Sequence, residues 1–307
     1  MTIAFISHPD CARHDAGYAH PETPERLGAI HDRLIASGLE LALRHHDAPL
    51  ADREQLCRVH DPDYIDHIFA VAPADGHIRL DQDTGMGPHS LKAALRAAGA
   101  AVLAVDLVMS GQTRSAFCGV RPPGHHAESR RTMGFCLFNN VAVGAAHALQ
   151  VYGLQRVAIV DFDAHHGNGT EEIFRDNPHV LLCSTFQHPF YPHTGCESVP
   201  GHIVNVPLKG GADGRAFREA VESRWLPELE AFRPELVLIS AGFDAHVEDD
   251  MSDLCLVERD FAWVTRALEA VAAASAQGRV VSVLEGGYAL PALGRSVAAH
   301  LDALLGG

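Results

Sequence analysis

The chain has 307 residues and a formal net charge of −15 at neutral pH, with 39 acidic against 24 basic side chains. This balance disfavours nonspecific binding to nucleic acid and favours cationic substrates, although many soluble enzymes are acidic for solubility alone. The seven cysteines include no Cys-x-x-Cys pair, so the sequence indicates neither a thiolate zinc site nor a disulfide framework. No linker, repeat or low-complexity segment interrupts the chain, and we expect one domain over residues 1–307.

Apolar runs typical of strands alternate with helical segments along the chain. The strand-like runs lie near 3–6, 115–118, 156–160, 180–183, 203–206, 236–240 and 280–284. The helical segments lie near 24–37, 88–109, 138–152, 213–231, 258–276 and 289–305. This alternation predicts an α/β fold with a mainly parallel central sheet and helices on both faces.

Two segments, residues 1–7 and the alanine-rich stretch 92–109, indicate where in the cell the protein is expected. Residues 1–7 lack the basic region and long apolar core of a signal peptide, so we expect a cytoplasmic protein without a membrane partner. The alanine-rich stretch 92–109 contains Arg96 and Asp106 and is more typical of a packed helix than of a membrane span. We also expect no nucleic-acid partner, and the sequence leaves a homo-oligomer open.

A Pro-Pro-Gly loop carrying two adjacent histidines, His125 and His126, follows the strand-like run 115–118. Loops at strand ends carry functional residues disproportionately often. Adjacent histidines at such a turn are poor core packers, but they suit proton transfer because imidazole titrates near neutral pH. The alternative is a pair of solvated loop histidines.

Metal-ligand side chains are concentrated in residues 161–170, where the strand-like run 156–160 ends in glycine. Side chains two apart on an extended chain point the same way, so Asp163 and His165 can converge on one ion. Open α/β sheets bind ligands at the carboxyl ends of their strands, which is where these residues fall. The pattern predicts half of a metal site, and a structural hydrogen-bond cluster is the alternative.

Two further strand-like runs end in glycine and a chemically useful side chain. Asp244 follows the run 236–240 and is the natural third ligand, since two oxygens and one nitrogen leave a position open for water or substrate. Alone, Asp244 would be an ordinary turn or helix-capping carboxylate. Tyr288 follows the run 280–284 and a Gly-Gly pair, from which its phenol could donate to a developing oxyanion.

In this order the four motifs resemble the zinc-dependent histone deacetylase superfamily, which includes bacterial acetylpolyamine amidohydrolases and acetoin-utilisation proteins. The resemblance covers residues 20–26, 121–140, 161–170, 190–195, 241–245 and 284–288. It implies a single arginase/deacetylase-like domain that removes acetyl or other acyl groups from lysine side chains of proteins or peptides by metal-activated water. Asn168 and the Pro-Pro-Gly-His-His-Ala-Glu wording are more similar to class II and bacterial members than to class I.

The resemblance also implies roles for individual residues. The metal, Zn²⁺ or in the cell Fe²⁺, would be held by Asp163, His165 and Asp244. The catalytic group would comprise the histidine pair, the residues that orient it and one tyrosine: His125, His126, Asp161, Asn168 and Tyr288. An amide stabilises imidazolium less than a carboxylate does, so we expect His126, beside Asn168, to be the neutral general base.

The substrate channel and a second cation site are implied in the same way. Gly134, Phe135 and Tyr191 would line an acyl-lysine channel, and Arg26 would line it behind the metal. Polyamine-specific members carry glutamate seven residues beyond the third ligand; this chain has Met251 there, which is similar to the apolar rim of lysine deacetylases. A structural K⁺ would be held by Asp161, Asp163, His165, Ser184 and Thr185.

Two other functions stay open. The acidic run 248–250 is typical of a solvated loop, but a one-residue shift could present a carboxylate to a secondary ammonium. An acetylpolyamine or other small-molecule N-acyl amidohydrolase is therefore the alternative. A catalytically inactive protein that binds acylated ligands is the third reading, but such a protein would have lost a metal ligand, the histidine pair or Tyr288, and none is lost.

Overall fold

The computed structural model of the protein describes residues 2–306, and its central element is an eight-stranded sheet. The strands are β1 (Ile3–Ser7), β2 (Leu43–Asp47), β3 (Ile78–Arg79), β4 (Gly85–Met86), β5 (Ser115–Cys118), β6 (Val157–Asp161), β7 (Val180–Gln187), β8 (Ile203–Leu208), β9 (Leu236–Ala241) and β10 (Val280–Leu284). The sheet order is β2-β1-β5-β10-β9-β6-β7-β8, and each neighbouring pair is parallel. Strands β3 and β4 form a separate antiparallel pair.

Helices cover both faces of this sheet. They are α1 (Glu25–Ser37), α2 (Arg53–Leu56), α3 (Pro62–Val71), α4 (Ser90–Met109), α5 (Asn140–Tyr152), α6 (Asn168–Phe174), α7 (Gly214–Ala220), α8 (Leu226–Phe232), α9 (Glu258–Ser275) and α10 (Leu290–Leu304). No helix among residues 2–306 combines the length and the apolar character needed to span a membrane. The predicted α/β fold with a mainly parallel sheet is therefore confirmed.

Strand β6 shows why the sheet is buried on both sides. Its side chains alternate between two apolar clusters, with Val157 and Ile159 in one and Ala158 and Val160 in the other. The first cluster is closed by helices α3, α4 and α5, and the second by α1, α9 and α10. A strand with two buried faces is apolar at nearly every position, which explains the continuous runs in the sequence.

Some elements differ from the sequence prediction. The predicted helix 213–231 is divided into α7 and α8 by a π-helical turn at Val221–Trp225. Strand β2 was not predicted because it is an edge strand, half exposed, whose Leu-Arg-His-His-Asp sequence has no apolar alternation. The short helices α2 and α6 and the two-residue strands β3 and β4 also went unpredicted, since periodicity needs longer segments than these.

The sheet order places four loops side by side. Strands β5, β10, β9 and β6 are consecutive neighbours in the sheet. The segments 119–128, 285–289, 242–246 and 162–167 leave their carboxyl ends. These are the segments that carry the predicted functional residues, so parallel pairing brings all of them to one edge of the sheet.

Candidate active site

Three of these loops, 119–128, 162–167 and 285–289, line a cavity of about 380 Å³ at the carboxyl edge of the sheet, together with residues 83, 134–135, 190–191 and 250–251. Its floor includes Asp163, His165 and both histidines of the Pro-Pro-Gly loop. Its walls are largely apolar and aromatic, and include Gly134, Phe135, Phe190, Tyr191, Met251 and Tyr288. A narrow apolar passage above a polar floor suits a methylene stem that carries a reactive polar end.

Three predicted metal ligands meet at this floor. One ligand atom each from Asp163, His165 and Asp244 lies within 4.8 Å of the others, and all three residues are buried. His165 Nδ1 lies 3.1 Å from Asp163 Oδ1 and 3.1 Å from Asp244 Oδ2. His165 Nε2 lies 3.1 Å from the carbonyl oxygen of Met251, which can only accept, so Nε2 carries the proton. Nδ1 therefore keeps its lone pair for a metal when the ring is neutral.

The two carboxylates of this cluster need a nearby positive charge in order to stay ionised. Burial, reinforced by the charge of Asp163, raises the pKa of Asp244 to about 6. Burial opposes the charge of His165, but the carboxylates of Asp244 and Asp163 outweigh it and hold the pKa of His165 well above its usual value. Two buried carboxylates ionise together only when a cation compensates them. Without a metal the protonated His165 supplies this charge, and a divalent ion held by its Nδ1 and both carboxylates would supply it instead.

His125 is held as the charged member of the histidine pair. Its ring is buried, and its Nδ1 lies 2.9 Å from Asp161 Oδ2. Burial disfavours the imidazolium, but the carboxylates of Asp161 and Asp163 more than compensate and raise the pKa of His125 to about 10. The expectation of a solvated histidine pair does not apply, since both rings lie inside the protein.

His126 is held as the neutral member. Its Nδ1 lies 2.8 Å from Asn168 Oδ1, and Asn168 Nδ2 donates to Glu128 Oε1 at 2.8 Å. The second bond fixes the orientation of the amide, so His126 Nδ1 must be the donor and Nε2 the nitrogen with the free lone pair. Burial, followed by the charges of His125 and His165, lowers the pKa of His126 well below its usual value.

Tyr288 lies opposite the histidines on a tightly held loop. Its ring packs edge-on against Phe135, with centroids 5.9 Å apart, and the guanidinium of Arg26 lies 4.8 Å from its centroid. Burial raises the pKa of Tyr288 well above its usual value, despite the nearby Arg26. The phenol therefore keeps its proton and can donate it in a hydrogen bond.

Arg26 does not line the cavity, which differs from the expectation for it. The side chain is fully buried behind Tyr288 and donates to the backbone carbonyls of Gly287, at 2.7 Å, and Glu285. Its third guanidinium nitrogen, Nη1, donates to Glu22 Oε1 at 2.9 Å and forms an ion pair. Arg26 thus supports the tyrosine loop from behind instead of forming a wall of the channel.

The predicted channel residues do lie at the cavity. Gly134, Phe135, Tyr191 and Met251 line it together. Gly134 adopts φ +57°, and a Cβ at this position would lie 2.2 Å from Cδ2 of His126. Glycine is therefore the residue that lets the channel wall approach the histidine.

Two buried carboxylates were missed as site residues. We expected the acidic run 248–250 to be a solvated loop. Glu248 and Asp250 are exposed, but Asp249 is only 5% exposed, so the expectation is wrong for Asp249. Glu285 accepts from the backbone nitrogens of Gly124 and His125, at 2.6 and 3.1 Å, and burial raises its pKa to about 7. A carboxylate directly after an apolar run, just before Gly-Gly, was the available signal for Glu285.

Of the residues predicted to hold K⁺, Asp163 and His165 line the cavity floor, whereas Asp161, Ser184 and Thr185 do not line the cavity. Asp161 and Ser184 face each other in the register of β6 and β7, and Thr185 follows. Ser184 Oγ is buried and has no hydrogen-bond partner among the described residues. An unpaired buried hydroxyl beside a buried carboxylate fits a small oxygen-liganded cation.

Comparison with known proteins agrees with this fold and site. The model of the histone deacetylase domain matches residues 20–304. A solved structure described as the HDA15 HD domain superposes with a TM-score of 0.93 and 34% identity, covering 100% of this chain and 90% of that one. These findings define an α/β protein of the deacetylase class with a candidate metal centre at its sheet edge.

The chain belongs to the histone deacetylase family. It is 38% identical to the histone deacetylase-like amidohydrolase of Pseudomonas aeruginosa, over 89% of this chain and 73% of that protein. It is also 38% identical to mouse polyamine deacetylase HDAC10, over 100% of this chain but only 48% of that protein. This membership supports hydrolytic deacetylation of an acylated lysine or of an acylated small molecule.

Proposed function

We propose that the protein is a metal-dependent amidohydrolase that removes acetyl or other acyl groups from lysine side chains of proteins or peptides. The observation that carries this proposal is the convergence of a three-ligand cluster and the free Nε2 of His126 at the floor of one largely apolar cavity. Met251 at the rim adds an apolar contact for the lysine stem. The catalytic domain would comprise residues 1–307, of which Met1 and Gly307 lie outside the described residues.

The side chains divide the chemistry among them. A divalent ion held by Asp163, His165 and Asp244 would polarise the amide carbonyl and lower the pKa of water towards about 7. His126 Nε2 accepts the proton of the attacking water and returns it to the leaving amine. His125 stays charged beside Asp161 and stabilises negative charge, while the Tyr288 hydroxyl donates to the tetrahedral oxyanion.

Metal analysis tests the first part of this proposal. We expect one divalent ion per chain, Zn²⁺ in purified protein and Zn²⁺ or Fe²⁺ in the cell, because mixed oxygen and nitrogen ligands accept both. Chelation should abolish amide hydrolysis, and added metal should restore it. Asp244→Asn should lower metal content while leaving the fold intact. Full activity in a demonstrably metal-free sample would contradict the proposal.

A structural K⁺ beneath the floor is the second cation that we propose. Asp161, Asp163, His165, Ser184 and Thr185 would supply its oxygens from side chains and backbone, and the unpaired Oγ of Ser184 supports this assignment. Thermal unfolding should shift upward when K⁺ replaces a bulky organic cation at the same ionic strength, because a bound ion stabilises the folded state. An unchanged midpoint would argue against the site.

An acetylpolyamine or other small-molecule amide is the alternative substrate. Asp83 and Asp250 line the cavity, so carboxylates do stand near its mouth, although Met251 occupies the position of the polyamine-specific glutamate. We expect acetyl-lysine peptides to be hydrolysed with higher kcat/KM than acetylspermidine or acetylputrescine. A reversed preference of about tenfold, roughly 1.4 kcal/mol, would favour the polyamine function. Metal binding without any turnover would favour the acyl-ligand binder.

The remaining assignments rest on the sequence. We propose a cytoplasmic bacterial enzyme, on the basis of seven cysteines without a disulfide framework and of the motif sequence at 121–128. A bacterial source would make proteins other than histones, or small acylated amines, the substrates. Fractionation of the source cells, with detection of the protein in each fraction, would test the location.

A further inference from the structure

A single buried carboxylate connects the rim of the channel to the tyrosine loop. Asp249 Oδ2 accepts hydrogen bonds from the backbone nitrogens of Tyr288, at 2.6 Å, and Ala289, at 2.9 Å. Asp249 Oδ1 accepts from the backbone nitrogen of Met251 at 3.1 Å. The residue is 5% exposed and does not line the cavity. Asp249 therefore bonds to two segments of the site without reaching the substrate.

The tyrosine loop needs such an anchor because two glycines precede Tyr288. Gly287 adopts φ +121°, a conformation that other residues rarely take, so the chain turns sharply just before the tyrosine. Gly286 is held on both sides, by Asp163 Oδ2 at its nitrogen and by the Phe243 nitrogen at its oxygen. Arg26 donates to the Gly287 carbonyl, and the next backbone N–H groups in the direction of the helix, those of Tyr288 and Ala289, donate to Asp249.

The position of Asp249 is also favourable electrostatically. Ala289 is the residue before helix α10, which is 15 residues long, so the carboxylate lies at the positive end of that helix. A charged acceptor makes stronger hydrogen bonds to backbone N–H groups than a neutral one. The Asp249 carboxylate therefore holds the backbone of Tyr288 rigidly. Such rigidity is needed because a catalytic hydroxyl must be placed to within a fraction of an ångström.

The other end of this connection reaches the metal ligands. Met251 donates its N–H to Asp249 and accepts at its carbonyl from His165 Nε2. The same three-residue segment therefore orients the imidazole of a proposed ligand and the backbone of the proposed oxyanion donor. Tyr288 and His165 are set relative to each other through Asp249.

We propose that Asp249 is a positioning residue for deacylation, whose carboxylate holds Tyr288 at the place where its hydroxyl meets the developing oxyanion. This inference rests on the proposed function. It assigns to Asp249 no contact with substrate and no proton transfer. Its effect on kcat passes through the position of the Tyr288 hydroxyl, because the Met251 carbonyl that His165 contacts does not itself bond to Asp249.

Asp249→Asn tests the inference because the amide cannot replace the carboxylate. The three N–H donors around Asp249 face both of its oxygens, so in either orientation the NH₂ group of asparagine would oppose a donor. We expect kcat to fall by about 10- to 100-fold, as for a displaced catalytic group, while KM and metal content stay within about threefold of the wild type. If the asparagine variant folds poorly, Asp249→Ser removes the opposed donor and carries the same expectation.

A double-mutant cycle separates positioning from general damage. In a Tyr288→Phe background the hydroxyl that Asp249 positions is already absent. Adding Asp249→Asn should then lower kcat by less than about threefold, because residues that act as a unit are not additive. A purely structural loss would multiply with the loss from Tyr288→Phe, and that result would overturn the inference.

Asp260→Asn is the matched control. Asp260 is also a buried aspartate that accepts a backbone N–H, from Val257 at 3.0 Å, but it lies at the start of α9 and away from the cavity. Its substitution should lower stability without changing kcat. Retention of kcat within about twofold by Asp249→Asn would overturn the inference.

Amide hydrogen exchange provides a readout that does not need turnover. Exchange at Tyr288 and Ala289 should become faster in Asp249→Asn and remain unchanged in Asp260→Asn, because the first substitution removes the acceptor of these amides. Unchanged exchange in Asp249→Asn would overturn the inference even if the enzyme were inactive. Absence of turnover in the wild type, with faster exchange in Asp249→Asn, would instead contradict the proposed function and leave the anchor standing.

Discussion

The three histidines around the cavity differ in protonation or in the ring nitrogen left free, and hydrogen-bond partners, burial and neighbouring charges together set these differences. Asp161 beside His125 stabilises the imidazolium, whereas Asn168 beside His126 does not. The carbonyl of Met251 directs the proton of His165 to Nε2 and frees Nδ1 for a metal. The ring is the same in all three, so the chemistry of each is set by its neighbour.

Tyr288→Phe removes a single hydroxyl from this arrangement. We expect kcat towards acetyl-lysine to fall by about 10²–10³, or about 2.7–4 kcal/mol, because one preorganised oxyanion donor is lost. Folding and metal content should not change, since the ring keeps its contacts with Phe135 and Arg26. Steady-state kinetics with metal analysis checks this. If more than about a tenth of kcat remained, the metal and histidines would have to hold the oxyanion alone.

Asn168→Asp exchanges the amide beside His126 for a carboxylate. The added charge should raise the pKa of His126, and a general base works only when neutral. The acidic limb of kcat/KM against pH should therefore move to higher pH, with little change in activity on the alkaline side. A pH profile of wild type and variant decides this, and a limb that stayed in place would show that His126 is not the base.

At the scale of elements, the glycines at the strand ends decide how closely the loops can meet. A Cβ on Gly242 would lie 2.0 Å from Asp163 Oδ2, and a Cβ on Gly286 would lie 2.1 Å from Asp244 Oδ2. Neither glycine has positive φ, so space and not backbone conformation requires them. The ends of β9 and β10 are thus adjacent to the ligand carboxylates only because these residues lack side chains.

Gly286→Ala should weaken the metal site. The new methyl group would displace Asp244, and with it the ligand geometry, so we expect metal affinity to fall by about 10- to 100-fold, the range found when groups supporting a metal ligand are lost. Competition with a chromophoric chelator measures this. Gly28→Ala is the control, since a Cβ there meets no atom within 4 Å in helix α1, and it should bind metal like the wild type. Equal affinities in both variants would refute the steric argument.

At the scale of the whole molecule, buried neutral histidines link stability to pH. His300 lies in the core between the sheet and α9 and α10, where Thr265 Oγ1 is 2.6 Å from its Nδ1 and Ser282 Oγ is 2.8 Å from its Nε2. Thr265 donates its own proton to the Phe261 carbonyl, so His300 Nδ1 must donate and Nε2 must accept. Burial lowers the pKa of His300 to about 3.

The buried neutral His300 should make the free energy of unfolding depend on pH, and replacing it by a residue that does not titrate should remove this dependence. Below pH 6.5 the unfolded chain binds a proton at His300 and the folded chain does not, until the pH approaches about 3. Stability should therefore fall with decreasing pH by up to about 1.4 kcal/mol per unit in this window. His300→Gln should be less stable at pH 7.5, and the gap to wild type should narrow by pH 5. Urea unfolding at both values checks this, and a constant gap would contradict it.

Local patterns were sufficient for much of the fold and part of the site. The apolar runs of β6, β9 and β10 are visible because strands buried on two faces are apolar at most positions, the exceptions here being Asp161, Ser240 and Ser282. Asp163 and His165 could be paired from the sequence because residues two apart on an extended chain share a face. Asp244, Tyr288 and the histidine pair were candidates from the same strand-end pattern, the family resemblance gave them roles, and the structure brings these residues to one site.

The sequence by itself determined which residue types stand at the end of each strand, because a short segment carries its own periodicity and turn signals. The tertiary structure decided the rest, since strand order and burial depend on contacts between residues far apart in the chain. Asp249 and Asp250 are adjacent acidic residues, yet one is buried against the start of α10 and the other is exposed. Arg26 lies behind Tyr288 because α1 packs against α10. More than 250 residues separate Arg26 from Tyr288 in the chain, so no local sequence pattern predicts this contact.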